Sequence, residues 1–182
     1  SSSHFLFQVL SRQYQKLGFS QLEDPDFANL CIARIVEPTS KFDSLRVLSD
    51  LGINNLSKDQ LYRCLQKVIK KDYRKTISQL CFEHVDSQNL NLVLYDVTTL
   101  YFEVQEEDTY RRPGLSKKRR LEPQIVIGLL VDRSGFPLGI QSFEGNTAET
   151  KTIIPVLEEF QKEHHLEKVT VVADAAMLSR TN

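Results

Sequence analysis

The feature that most constrains this chain is a change of hydrophobic period near residue 90. Before it, apolar residues recur at helical spacing. After it, β-branched runs and alternating patterns take over. Helices first and strands afterwards point to a helical region followed by a unit with its own sheet. The chain has 182 residues, enough for one full domain and part of another. The pattern divides it into a helical region over 1–88 and a strand-rich region over 89–182.

Five helices are predicted in the first region. Phe5, Leu6, Val9, Leu10 and Tyr14 give one over 4–18, stopped at Gly18. A second covers 26–37 and ends at Pro38, and a third covers 44–53. Ser57 and Gln60 have capping-box spacing and open a fourth, with Leu61, Leu65 and Val68 on one face and basic residues opposite. The fifth spans 72–85 with Tyr73, Ile77, Leu80 and Cys81 inward. In the second region, residues 91–100 read as a strand. PQIVIGLLVD and GFPLGIQSF read as a hairpin turning at Arg133-Ser134-Gly135. A helix follows with Ile153, Ile154, Leu157 and Phe160 inward and Pro155 in its first turn, where proline is tolerated. The strand 168–174 comes last, and strands joined through a helix normally run parallel by a right-handed crossover.

Composition narrows the function little. Net charge is −1, so overall charge names no partner. No apolar run is long enough to span a bilayer, and SSSHFLFQVL has neither the basic region nor the cleavage site of a signal peptide. Cys31, Cys64 and Cys81 lie far apart without CxxC spacing, which favours buried free thiols in a cytosolic protein over a disulfide framework or zinc site. The four histidines form no ligand pattern.

Two strands carry a carboxylate. Alternation puts Leu92, Leu94, Asp96 and Thr98 on one face of the first, and Thr170, Val172 and Asp174 on one face of the last. A carboxylate buried alone costs several kcal/mol or is protonated. Two of them repel unless a cation lies between. A divalent metal answers both problems, since Mg²⁺ takes one or two carboxylates plus waters and phosphate oxygens. The plainer alternative is that each Asp is an ordinary strand-end residue, a turn former or a helix cap.

LYDVTTLYFE, GLSKKRRLEPQIVIGLLVDRSGFPL, FEGNTAETKTIIPVLEEF and VTVVADAAMLS together resemble the catalytic domain of bacterial insertion-sequence transposases of the DDE type, in the IS-four superfamily. The likeness covers roughly residues 30–182 and is tightest over 90–182. It implies an α/β fold: an N-terminal helical region followed by an incomplete ribonuclease-H-like mixed sheet. It implies that Asp96 and Asp174, on neighbouring strands, are catalytic and hold Mg²⁺, with Mn²⁺ as substitute. The activity implied is metal-assisted phosphoryl transfer, cutting DNA at transposon ends and joining the freed 3′-hydroxyl to target DNA. The partners implied are those DNAs and further copies of the enzyme, in a bacterial cytoplasm at the nucleoid. The family's third acid is a Glu on a later helix, and Asn182 ends the sequence before that helix. The resemblance therefore implies that these residues alone are not a competent transposase. A non-catalytic DNA-binding remnant and a ribonuclease-H-like nuclease that does not transpose are the alternatives.

Two segments are candidates for holding DNA. Arg111, Arg112, Lys117, Lys118, Arg119 and Arg120 form a dense basic cluster shortly after the first strand, suited to neutralising phosphates. The acidic run before it (Glu103, Glu106, Glu107, Asp108) could pair with it when DNA is absent. Residues 44–71 have the pattern of a helix-turn-helix, with Tyr62, Arg63, Lys67 and Lys70 on its second helix, but many plain helical bundles read the same way and the bundle is the commoner reading.

Overall fold

The computed structural model describes residues 2–85, 90, 92–103, 108–114 and 122–173. They form a mixed α/β chain of two compact units, Ser1–Leu80 and Cys81–Asn182.

The first unit is helical: α1 (Ser2–Lys16), α2 (Pro25–Val36), α3 (Asp43–Asp50), α4 (Lys58–Lys70) and most of α5 (Tyr73–His84). Local chemistry sets the ends. Gly18, at φ +80°, turns the chain out of α1. Asp24 caps α2, accepting from the Phe27 amide at 3.1 Å, and Pro25 takes the first helical position. The capping box at α4 forms as the sequence predicts, with Ser57 N donating to Gln60 Oε1 at 2.9 Å and Gln60 N to Ser57 Oγ at 3.3 Å. Ile32, Ala33, Val47, Leu48 and Leu51 make one buried cluster, and Leu30, Leu61 and Cys64 another. All three cysteines are free, Cys64 and Cys81 buried and Cys31 half-buried. Burial pushes the Cys31 thiol up to about 11 and, chiefly by the same cause, Cys64 to about 12.

The second unit is a four-stranded sheet with one long helix: β1 (Leu92–Tyr101), β2 (Gln124–Val131), β3 (Pro137–Glu144), α6 (Ile153–His164) and β4 (Thr170–Ala173). The strand order is β3-β2-β1-β4. β2 is antiparallel to both β1 and β3, and β4 is parallel to β1, so the helix-linked strands β3 and β4 point the same way. The β2–β3 hairpin turns where predicted, with Gly135 at φ +87°. Asp132 holds the turn by accepting from Ser134 N, Ser134 Oγ and Phe136 N at 2.7–2.8 Å. A bulge at Leu130/Val131 makes Leu138 the extra residue and turns it into the core.

One sheet face packs with α6. Val93, Tyr95, Leu130 and Leu138 meet Ile153, Val156 and Phe160 there. The predicted inner face of α6 needs one correction. Ile154 is 61% exposed, and Val156 is the buried residue in its place. Pro155 interrupts the apolar run IIPVL, and the helical phase from Ile153 through Val156 to Phe160 selects the i, i+3, i+7 positions.

The units divide inside α5, earlier than the boundary read after residue 88. The reason lies in its last turn. Phe82 stacks on His164 at 4.0 Å between ring centroids and meets Phe160 edge-on at 5.9 Å, so this turn belongs to the core of the second unit. His164 Nε2 is buried without a hydrogen-bond partner among the described residues. Burial lowers its pKa most, His165 acts in the same direction, and Glu83 opposes them. The unfolded chain thus binds the proton more readily, and stability must fall as pH drops below about 6.5. We expect the urea midpoint of the second unit's transition to decline between pH 7.5 and 5. In His164→Phe that decline should shrink, and an unchanged decline would place the titrating group elsewhere.

Candidate functional site

Asp96 lies in the middle of β1, and its neighbour Tyr95 explains how the strand holds it. Tyr95 is buried on the α6 side. Its hydroxyl donates to Thr152 Oγ1 at 2.8 Å, and Thr152 Oγ1 donates on to the Glu149 carbonyl at 2.6 Å. Burial raises the Tyr95 pKa, with a smaller push from Asp96, so the phenol keeps its proton and donates. Tyr95 therefore locks β1 to the start of α6. Alternation then turns Asp96 to the opposite face, with Leu92, Leu94 and Thr98, as the sequence predicts.

The depth of Asp96 differs from the expectation. It is exposed, not sunk in an apolar interior. Its face carries half-buried Leu92, Leu94, Ile125, Ile127 and Leu129 and exposed Thr98, Leu100, Ile140 and Val172. Among the described residues Asp96 makes no ion pair. Desolvation is thus not the reason for a cation here.

β4 supplies the neighbouring strand. It pairs with β1 in parallel, Leu94 with Val172 and Tyr95 with Ala173. The last pair stands one residue before Asp96 on β1 and one residue before Asp174 in the sequence. Asp174 itself lies outside the described residues, and among those described no group of three or more His, Cys, Asp or Glu side chains could hold a metal.

Of the basic cluster, Arg111 and Arg112 are described, while Lys117, Lys118, Arg119 and Arg120 lie outside the described residues. Arg111 Nε bonds Asp108 Oδ2 at 2.7 Å, and its guanidinium lies 5.4 Å from the Phe102 ring centroid. Backbone amides of Arg111 and Tyr110, with the Arg111 side chain, hold the Asp108 carboxyl down at about 2. The acid–base pairing expected between these segments is therefore present at Asp108–Arg111. Arg112 exchanges backbone hydrogen bonds with Gln124 and faces Glu144 at 3.7 Å. Gln124 in turn pairs with Tyr101, five residues along β1 from Asp96. At roughly 3.4 Å per residue, that separates Arg112 from Asp96 by about 17 Å along the strand. Arg112 is therefore not in reach of the Asp96 carboxylate.

On α4 the two predicted contacts part. Arg63 is exposed and has no ion pair among the described residues. Lys67 bonds the buried Asp24 carboxylate at 2.8 Å, which also accepts from the Tyr73 hydroxyl at 2.7 Å. That bond to Asp24 raises the Lys67 pKa. Sequence reasoning missed this triad. Its one local signal was an Asp ahead of a Pro, the signature of a helix start.

The chain matches no family model, no curated protein and no solved structure. Among the described residues no helix is long and apolar enough to cross a membrane.

Proposed function

We propose that Cys81–Asn182 is a ribonuclease-H-like core of a DDE DNA transposase, in which Asp96 and Asp174 share a divalent metal. The observation that carries this reading is the parallel β1–β4 pair, with both acids one residue past Tyr95 and Ala173. Parallel neighbours lie about 4.8 Å apart. Carboxylates leaving equivalent positions on such strands are within the span of one metal ion. Two carboxylates on one ion are also the donor set Mg²⁺ accepts while keeping sites for water and phosphate.

The residues have separate tasks. Asp96 offers an exposed carboxylate that no described cation neutralises. Tyr95, anchored through Thr152, fixes the strand that presents it. Thr98, two residues on, shares its face and can donate a hydrogen bond to it or to a bound phosphate. When bound, the metal would supply Lewis-acid stabilisation of the phosphodiester and a more acidic water. Arg111 and Arg112 would neutralise phosphates farther along the strand, Arg111 after giving up Asp108.

Metal binding can be read without catalysis. Millimolar Mn²⁺ should raise the melting temperature of the second unit by several degrees, because binding to the folded state alone stabilises it. Asp96→Asn and Asp174→Asn should each remove that rise, and Glu158→Gln on α6 should not. A rise that survives in Asp96→Asn rules out the shared site.

A further inference from the structure

The helical unit carries a surface that neither the metal site nor its core explains. Phe42, just before α3, and Tyr62, on α4, are 42% and 41% exposed and meet edge to face at 5.6 Å between centroids. Lys58 Nζ stands 4.4 Å from the Phe42 centroid. Lys58 and Tyr62 are one helical turn apart, and Arg63 follows directly. Ile69, two turns from Tyr62, is 81% exposed on the same helix. From 58 to 75 the sequence has seven basic residues against two acidic ones. Large rings left half in water beside Lys58 and Arg63, which make no ion pair among the described residues, differ from both an ordinary charged face and a core.

We infer that this surface binds single-stranded nucleic acid, with a base stacking on Tyr62. Phe42 buttresses the Tyr62 ring through their T-shaped contact. Lys58, held over Phe42 by its cation–π contact, and Arg63 neutralise the phosphates on either side of the stacked base. Rings interleaved with cations suit single strands, because every base offers a π-face and the backbone supplies the charge. A duplex hides those faces in its stack. The reading of residues 44–71 as a reader of base edges used Tyr62, Arg63, Lys67 and Lys70, but Lys67 is held by Asp24. Outward on α4 the Tyr62 ring still stands beside Lys58 and Arg63, together with Asp59, Gln66, Ile69 and Lys70.

This inference does not rest on the metal site, and its test keeps the two apart. The whole chain is titrated with fluorescein-labelled dT20 in EDTA at low salt, beside a 20-base-pair duplex and poly-glutamate. dT20 should bind at least tenfold more tightly than the duplex, with affinity falling steeply as salt rises. Tyr62→Leu should weaken dT20 binding by about tenfold or more, while Tyr62→Phe retains it. Arg63→Gln should reduce the salt slope by about one. Glu158→Gln, on exposed α6 surface of the other unit, should change nothing. Equal binding of duplex, or of poly-glutamate, overturns the inference, and so does dT20 binding indifferent to Tyr62→Leu. Tyr62 is exposed, so its variants should melt with the wild type, and a melting curve for each confirms that a lost affinity is not a lost fold.

Discussion

Gly128→Val should unfold the strand-rich unit at temperatures where the wild type is intact. Gly128 lies on the α6 face of β2, beside the ring of Tyr95. A Cβ there would stand 2.1 Å from the Tyr95 hydroxyl oxygen and 2.8 Å from Cζ, distances no real Cβ occupies. The ring cannot step aside cheaply. It is 3% exposed, and its hydroxyl is bonded to Thr152, which is wholly buried. Overpacking a core costs roughly 1–3 kcal/mol. Breaking the Tyr95–Thr152 bond inside it adds about 1–3 kcal/mol for the unsatisfied groups. A sum of about 2–6 kcal/mol is a large part of a small unit's stability. The melting temperature should fall on the order of 15 °C or more. Gly128→Ala should cost less in a Tyr95→Phe background than alone, since the nearest clashing atom is gone. Strictly additive costs would show that the two residues do not meet as described.

Local chemistry was legible in this sequence, and long-range pairing was not. The Ser57–Gln60 box, the stop at Gly18 and the turn at Gly135 each depend on residues a few positions apart, and each appears where expected. The change of period at residue 90 separates helices from sheet for the same reason, because every turn or pleat repeats the signal. Alternation also put Asp96 on the correct face of β1. It could not tell how deep that face lies, because depth is set by what packs against the sheet. Tyr95, one residue away, is buried by packing with α6 and bonded to Thr152, 57 residues later. Lys67 shows the limit most clearly. On a helical wheel it is one more cation on a basic face. In the fold it belongs to a carboxylate on another helix, which no spacing rule connects to it. The face of α6 failed for a smaller reason. Ile153 and Ile154 are equally apolar, and only the phase of the following turns decides between them.

Asp24→Ala should damage the helical unit as much as truncating a core leucine would. Its carboxylate does three tasks at once: it caps α2 at the Phe27 amide, accepts from Tyr73 on α5, and pairs with Lys67 on α4. Loss of the cap costs about 1 kcal/mol. Leaving the Tyr73 hydroxyl buried without an acceptor costs about 1–3 kcal/mol more. Tyr73 is 3% exposed, so water does not easily replace the lost partner. Lys67 reaches solvent and adds little. A loss of about 3 kcal/mol is expected in urea unfolding of the first unit. Asp24→Asn should lose less, because its amide oxygen can still cap α2. The same site fixes an acid response. Burial pushes the Asp24 carboxyl up, but hydrogen bonds from Lys67, Tyr73 and the Phe27 amide outweigh it and hold the pKa below its ordinary value. The unfolded chain then takes up the proton first. The stabilisation is fully present above about pH 4 and is lost as pH falls through the lower folded value. Below pH 4 the wild type should therefore lose its advantage over Asp24→Asn. If the gap between them stays constant down to pH 2, the carboxylate's charge is not what joins the three helices. The change also releases Lys67. If a free ammonium on α4 strengthens nucleic-acid binding, Asp24→Asn should bind dT20 more tightly than the wild type while being less stable, separating what this triad does for the fold from what it withholds from the surface.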